Sequence, residues 1–190
     1  WLLRGKCRAY RAVVAISRAI EADLVGRVGL EAAHVHRIAS VVDTERFRPL
    51  AAAAREPALL NVASGGPRIA VVAQLIERKG HAVLLRALTA LVRDFPALQV
   101  VCFGRGPLAA RLAGQTRDLG LGPHVHFVGH REDLPRWLPQ FDLLVHPALR
   151  EGLGVALLEA QSAGVAVVAL TVLWFALLKP TIRSAAKEAV

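Results

Sequence analysis

Short apolar runs alternate with longer stretches of helical periodicity between residues 68 and 170. The runs are rich in Val, Ile and Leu, and apolar residues in the stretches between them recur three or four positions apart. Strands that are apolar on both faces and joined by helices are typical of a parallel sheet covered on both sides. The pattern predicts a doubly wound α/β domain with strands at Arg68–Leu75, Gln99–Phe103, Val125–Val128, Asp142–His146 and Val165–Leu170.

Helices are predicted between these strands. They are expected over Gly80–Phe95, from the Gly106-Pro107 turn to about Leu119, over Leu134–Leu138 and over Val155–Ala163. Upstream, Ala12–Ile16 is predicted as a strand, followed by a helix from Arg18 to about Val28. Ser17 suits the N-cap of that helix, because its hydroxyl can accept a hydrogen bond from a free backbone N–H.

Composition shifts divide the chain into four segments. Residues 49–67 are rich in Ala, Pro and Gly and predict a linker between residues 1–48 and the main domain at 68–170. Residues 171–190 form an atypical tail. No charge occurs over the 19 residues 160–178, a borderline length for a membrane span. A central parallel strand over the first part of this stretch is the simpler interpretation.

Composition excludes several classes of protein. With 54% hydrophobic residues among 190, the chain is not disordered. Its two cysteines cannot form a disulfide scaffold, which favours a reducing, cytoplasmic location. The sequence contains no Met, so we expect a fragment of a longer product.

The net charge of +9 arises from 24 Lys and Arg against 15 Asp and Glu. A basic run near the start suits either peripheral contact with an anionic membrane or a solvated helix face; it comprises Arg4, Lys6, Arg8 and Arg11. No zinc-finger spacing or aromatic RNA-binding motif accompanies the run, so nucleic acid is not expected as a partner.

Two loops that follow predicted strands carry candidate chemistry. Lys79 stands just before a helix, where a cation beside free N–H groups suits a phosphate, although a loop lysine is also commonly just solvated. Gly104-Arg105-Gly106 begins a G-x-G-x-x-A match. That match follows the second strand of the domain and lacks the acid of a dinucleotide site. We therefore interpret it as a tight turn that lets backbone approach a ligand.

The third loop places the carboxylates of Glu151 and Glu159 eight residues apart. On a helix, eight steps of about 100° leave them about 80° apart, so both could face one cleft. Gly152 and Gly154 would keep nearby backbone amides uncovered. N–H donors together with two carboxylates suit a sugar nucleotide. The alternative is that Glu151 complements the helix dipole and Glu159 forms a salt bridge.

The third loop resembles the E-x7-E motif of retaining glycosyltransferases with the GT-B fold, of the family 4 type. The resemblance runs from about Ala12 to Ala169. The matching segments are VVDTERFRP (Val41–Pro49), AQLIERKGH (Ala73–His81), VCFGRGP (Val101–Pro107), HFVGHREDLPRWL (His126–Leu138) and DLLVHPALREGLGVALLEAQSAG (Asp142–Gly164). It implies a Rossmann-like, donor-binding C-terminal half, with residues 1–48 as a remnant of the acceptor domain.

The resemblance also implies residue roles. Glu151 would bind donor-sugar hydroxyls as the catalytic residue, Glu159 would hold the ribose, and Lys79 would neutralise the diphosphate leaving group. The loop at Gly129–Arg131 would lie near the base. The other donor-binding residues implied are Gln74, Gly104, Gly129, His130, Arg131, Gly152, Leu153, Gly154 and Val155.

The implied reaction transfers a glycosyl group from a UDP- or GDP-linked sugar to a saccharide or lipid-linked acceptor. It proceeds with retention of anomeric configuration, without a metal or other cofactor. Two departures from the family pattern stand out: Gln74 occupies a position where the family usually has Arg, and Thr171–Phe175 replaces a Gly-Gly-x-Pro-Glu loop. There are two alternatives: a sugar-nucleotide epimerase or phosphorylase of the same fold, and a non-catalytic membrane-associated fragment.

Overall fold

The computed structural model describes residues 10–50, 65–149, 151 and 154–170. These divide into two compact units, one ending at Val41 and one beginning at Val42. The second unit thus begins earlier along the chain than the boundary predicted after residue 48. The assignment of residues 1–48 to an acceptor domain stays a prediction, and the tail at 171–190 lies outside the described residues.

The first unit is a small β-α-β arrangement. Strands β1 (Val13–Ala15) and β2 (Val35–Arg37) pair in parallel, and helix α1 (Arg18–Gly26) lies between them in sequence. The Ser17 hydroxyl accepts a hydrogen bond from Ile20 N at 3.2 Å, which confirms the predicted N-cap. Strand β2 was not predicted, because two of its three residues are exposed and polar and give no apolar run.

The second unit contains a five-stranded, fully parallel sheet. Its strands are β3 (Arg68–Val72), β4 (Gln99–Phe103), β5 (Val125–Gly129), β6 (Leu143–His146) and β7 (Ala166–Ala169). They lie in the order β5-β4-β3-β6-β7. The predicted doubly wound α/β fold is confirmed, and all five predicted strands are present: three are shorter than predicted, β4 has the predicted bounds and β5 extends one residue further.

Helices connect these strands and cover both faces of the sheet. They are α2 (His81–Asp94), α3 (Ala109–Asp118), α4 (Leu134–Trp137) and α5 (Val155–Ser162). Ile69 and Val71 pack into a core under α2 and α3, whereas Ala70 between them packs into a second core with α4 and α5. This alternation follows from the two-residue repeat of a strand and shows why β3 is apolar from Ile69 onwards.

Strand β7 accounts for the beginning of the uncharged stretch at 160–178. It pairs with β6 in parallel and is the outer strand of the sheet in the part of the chain that is described. A strand is therefore confirmed over Ala166–Ala169, but among the described residues it lies at the edge of the sheet and is mostly exposed, so its predicted central position is not found there. Within the described ranges, no helix combines the length and apolar character needed to cross a membrane.

Candidate functional site

The order in which successive strands are added to the sheet reverses at β3. From β3 the chain proceeds to β4 and β5 on one side, and β6 then returns to the other side of β3. In open parallel sheets, the crevice beyond the carboxyl ends of the strands at such a switch point is the usual ligand site. The loops after β3 and β6 leave from this point and carry Lys79 and Glu151 respectively.

Gly80 allows these two loops to approach closely. Its φ of 71° lies in the left-handed region, and a Cβ there would come within 1.8 Å of the Pro147 carbonyl oxygen. Close by, Leu149 N donates a hydrogen bond to Arg78 O at 2.8 Å. Only glycine combines this φ with this proximity, so Gly80 sets the position of its neighbour Lys79 relative to the loop after β6.

Lys79 and Glu151 form an ion pair across the crevice. The Lys79 amino group donates to Glu151 Oε2, although the residues lie 72 positions apart in sequence. Their side chains are 12% and 19% exposed, so water screens the pair less than it screens an exposed ion pair. The structure therefore brings together the two residues that the sequence assigned to the diphosphate and the donor sugar.

His146 is the third member of this cluster. It is the last residue of β6, is 3% exposed, and its Nε2 lies 3.2 Å from Glu151 Oε2. Burial lowers the pKa of His146, with a further decrease from the charge of Lys79 and an opposing effect from Glu151. Sequence reasoning missed this residue, and the only signal was a polar side chain at the end of an apolar strand.

His81, the first residue of α2, is a second buried imidazole near the cluster. It is 3% exposed, and neither ring nitrogen has a hydrogen-bond partner among the described residues. Burial lowers its pKa to about 4, and the charges of Lys79 and His146 act in the same direction. His81 is thus neutral at pH 7 and adds no positive charge to the crevice. It too was missed as a member of the site.

Glu159 lies on α5 and is partly buried. Burial raises the pKa of its carboxyl group, and Arg46 opposes the increase. Helix α5 begins only at Val155, with Gly154 as its N-cap, so Glu151 precedes the helix. The prediction that helical geometry sets the angle between the two carboxylates is therefore wrong: extended backbone at Gly154 separates Glu151 from the helix that carries Glu159.

The remaining candidates near β3 and β4 are backbone and amide groups. Gln74 is exposed in the loop after β3. A Cβ at Gly104, whose φ is 147°, would lie 2.0 Å from Ala73 O, so the space beside this glycine is occupied by the neighbouring loop. Gly104 N donates to the Gly129 carbonyl at 2.8 Å, which joins the ends of β4 and β5.

The loop after β5 presents His130 and Arg131. His130 is exposed, whereas the Arg131 guanidinium makes two hydrogen bonds to the Asp133 carboxylate, at 2.8 and 2.7 Å. The same guanidinium lies 4.9 Å from the centre of the Trp137 ring. The hydrogen bonds from Arg131 lower the pKa of Asp133. Arg131 is therefore held against α4, and the exposed imidazole next to it is the more accessible group.

The rest of the third loop is described only in part. Gly154 is buried and Val155 is 41% exposed, whereas Gly152 and Leu153 lie outside the described residues. No cluster of three His, Cys, Asp or Glu side chains suited to a metal ion occurs among the residues described. The described cluster combines a cation, a carboxylate and a buried imidazole, a set that suits a ligand with both anionic and hydroxyl groups.

Comparisons with known proteins identify the family of the chain. A family model described as Glycosyl transferases group 1 matches residues 66–178. EpsF of Bacillus subtilis, which is named as a glycosyltransferase, is 35% identical over 142 residues, covering 74% of this chain and 37% of its own length. A GDP-mannose-dependent alpha-(1-6)-phosphatidylinositol monomannoside mannosyltransferase of Mycolicibacterium smegmatis is 32% identical over 166 residues, covering 83% and 43%. The chain thus spans less than half the length of these relatives.

Solved structures give the same fold. HepE of Anabaena, crystallised in complex with UDP, superposes with a TM-score of 0.72 at 23% identity, covering 87% of this chain and 48% of its own. The C-terminal domain of a group 1 family glycosyl transferase, LpcC of Francisella tularensis, superposes with a TM-score of 0.59 at 25% identity, covering 68% and 70%. These matches confirm the GT-B-like α/β architecture expected from the sequence.

Proposed function

The chain belongs to the group 1 glycosyl transferases, and on this premise we propose that it is the donor-binding part of a retaining glycosyltransferase. The donor is a UDP- or GDP-linked sugar, and neither a metal nor another cofactor takes part. The observation that carries the proposal is the contact of Lys79 with Glu151 at the switch point of the sheet. One residue is suited to a diphosphate and the other to sugar hydroxyls.

The proposed chemistry follows from the charges that develop during transfer. When the bond between the sugar and the diphosphate breaks, negative charge accumulates on the leaving group, and Lys79 stabilises that charge. Glu151 binds hydroxyls of the donor sugar, and Glu159, held on α5 near Arg46, binds the ribose. Gln74 donates a neutral hydrogen bond to the diphosphate, and the loop at Gly129–Arg131 lies beside the base.

The names of the relatives support the donor and acceptor classes. The mycobacterial relative is named as GDP-mannose-dependent and as acting on a phosphatidylinositol monomannoside, and HepE was crystallised with UDP. We therefore propose a saccharide or lipid-linked acceptor and a cytoplasmic protein with peripheral contact to an anionic membrane. The basic run at the start of the chain supports such contact.

Calorimetric titration of the chain with UDP and GDP tests the donor site. At least one nucleotide should bind, and Lys79→Ala should weaken it about tenfold to a hundredfold, since a hydrogen bond to a charged group contributes about 1.5–3 kcal/mol. Glu159→Ala should weaken it about tenfold by the same reasoning.

Two control variants remove an exposed charge of the same sign from α2 or α3, away from the crevice. Arg93→Ala removes an exposed cation about 18 Å along α2 from the crevice, and Asp118→Ala removes an exposed carboxylate at the end of α3. Neither change should alter nucleotide affinity. Equal affinities for wild type, Lys79→Ala and Glu159→Ala would overturn the site. Product analysis of a longer protein that contains this segment separates glycosyl transfer from epimerisation or phosphorolysis.

A further inference from the structure

His146 is the one polar residue of strand β6, whose other members are Leu143, Leu144 and Val145. Its side chain is 3% exposed. Burying a polar ring costs free energy unless a hydrogen bond compensates, and an apolar side chain would fill the same space without that cost. The hydrogen bond to Glu151, at 3.2 Å, is the compensation that the described residues provide.

The chemistry of the two partners fixes the direction of this hydrogen bond. An ionised carboxylate only accepts hydrogen bonds, so Nε2 of His146 must carry the proton. Burial lowers the pKa of the ring, which is therefore neutral at pH 7 and has an unprotonated Nδ1. That Nδ1 is buried and has no partner within the described ranges. The ring is thus a neutral donor directed at Glu151.

Gly154 leaves space for this arrangement. Its φ of −75° is open to any residue, so the backbone does not require glycine there. A Cβ at this position would instead lie 3.3 Å from His146 Nε2 and 3.2 Å from the Leu157 side chain. These distances are shorter than ordinary contacts, and the ring would have to shift by a few tenths of an ångström. The start of α5 therefore encloses the nitrogen that contacts Glu151.

Lys79 and His146 donate to the same atom, Glu151 Oε2. We propose that His146 is a positioning residue that holds the Glu151 carboxylate towards the donor sugar when Lys79 turns to the diphosphate. This inference rests on the proposed function and adds a residue to it. A neutral donor suits the role because it has no net charge to draw it towards the phosphates, so it stays on the carboxylate when the cation leaves.

The test compares nucleotides with and without a sugar on the full 190-residue chain. Affinities for UDP, UDP-glucose, GDP and GDP-mannose are measured by calorimetry for wild type, His146→Leu and His146→Gln. His146→Leu should reduce the affinity for the nucleotide sugar about tenfold, while the affinity for the matching diphosphate changes less than about twofold. His146→Gln should recover most of the loss, because its amide nitrogen can reach the place of Nε2.

A double substitution separates positioning from a merely structural role. If His146 acts through Glu151, adding His146→Leu to Glu151→Ala should cause no further loss of sugar-dependent affinity. Melting temperatures verify that each variant is folded. Equal losses for sugar and diphosphate in His146→Leu, or no loss for either, would overturn the proposal.

Two outcomes keep this proposal distinct from the proposed function. If the wild-type chain binds no nucleotide, the donor site itself fails, and the role of His146 fails with it. If it binds and the ratio of affinities does not respond to His146→Leu, only the positioning role fails. Long-range ¹H–¹⁵N spectra give an independent measurement: the His146 ring should carry its proton on Nε2, and Glu151→Ala should shift that resonance. A proton on Nδ1 would contradict the proposal.

Discussion

Two histidines at opposite ends of the same sheet make different use of a hydrogen bond. Near the amino end of β5, His126 Nε2 lies 2.7 Å from the amide oxygen of Gln99, a residue that is 4% exposed. At the carboxyl end of β6, His146 donates to a carboxylate that also binds Lys79. The first arrangement pairs two neutral groups. The second includes the charged groups of Lys79 and Glu151, which under the proposed function exchange their contact with each other for contacts with the ligand.

A lowered histidine pKa does not by itself distinguish the two ends. Burial lowers the pKa of both His126 and His146, and an electrostatic interaction with a neighbour contributes in each case, with His124 for the former and Lys79 for the latter. The difference is the carboxylate of Glu151, which opposes the decrease only at the carboxyl end. What distinguishes the proposed site from the amino end of the sheet is therefore the Lys79–Glu151 ion pair beside the imidazole, since an at least partly buried imidazole occurs at both ends.

The largest effect is expected from Gly80→Ala, which disrupts the carboxyl end directly. A Cβ at this position overlaps Pro147 O, and a φ of 71° is unfavourable for alanine. We expect a loss of about 3 kcal/mol in the free energy of unfolding, together with loss of nucleotide binding. Urea denaturation measures the first and calorimetry the second.

Gly122→Ala is the matched control for Gly80→Ala. A Cβ at Gly122 meets nothing within 4 Å, and its φ is outside the left-handed region. This variant should be about as stable as wild type. A Gly80→Ala protein with wild-type stability would show that the close approach of the two loops does not depend on glycine.

The next largest effect is a pH dependence of the free energy of unfolding that arises from His81, at the carboxyl end of the sheet. The pKa of His81 is about 4 in the folded chain and 6.5 when unperturbed. Between these values the unfolded state binds a proton that the folded state does not, so the free energy of unfolding should fall as pH decreases from 6.5 towards 4. Above pH 6.5 this contribution is fully present.

Urea denaturation at pH 7.5 and pH 5 measures the His81 contribution. His81→Leu should reduce the difference in stability between the two pH values, because the variant has no imidazole to protonate there. The same replacement at exposed His130 controls for the loss of a histidine as such. Equal pH dependence in wild type and His81→Leu would contradict a low pKa in the folded state.

A smaller effect is expected at the amino end of the sheet. Gln99→Leu removes the hydrogen-bond partner of His126, and we expect a loss of about 1 kcal/mol in stability. Nucleotide affinity should be unchanged, because this end of the sheet faces away from the crevice. If the variant binds nucleotide more weakly at unchanged stability, the proposal that only the carboxyl end of the sheet binds nucleotide would be contradicted.

The smallest effect is expected for an exposed ion pair that joins the loop of Lys79 to helix α3. Arg111 Nη1 lies 2.6 Å from Glu77 Oε1, but both side chains are 68% exposed. Arg111→Ala should therefore change the free energy of unfolding by less than about 1 kcal/mol. Thermal denaturation of this variant and of Lys79→Ala compares the stability lost with an exposed ion pair to that lost with a largely buried one. The difference between them measures how much burial adds to the contribution of an ion pair.

The sequence predicted the architecture well because the central strands β3, β4 and β6 are largely buried on both faces and therefore mostly apolar. Gln99–Phe103 has the bounds that its apolar run predicted, and the start of α5 at Val155 was also located correctly. Strand β2 was not predicted, since Val35 is its only buried residue and gives no periodic signal.

Two residues of the cluster at the carboxyl end of the sheet were named from the sequence, but their contacts were not. Lys79 and Glu151 were found through their loops and the family resemblance, yet their pairing depends on Gly80 bringing together segments 72 residues apart. His146 and His81 were missed because a histidine within an apolar segment usually indicates core packing. The angle between Glu151 and Glu159 was wrong because a local helical rule was applied across a non-helical loop.

The order of strands in the sheet also bears on how the chain is made. Strands β3, β4 and β5 are neighbours both in sequence and in space, so they can associate as soon as they emerge from the ribosome. One edge of β3 stays unpaired until β6 is synthesised, and an unpaired apolar edge is prone to aggregation. Because Glu151 follows β6, the crevice takes shape only after that edge is covered. A nascent chain that stalls before residue 143 therefore leaves an apolar strand edge unpaired beside the proposed donor site.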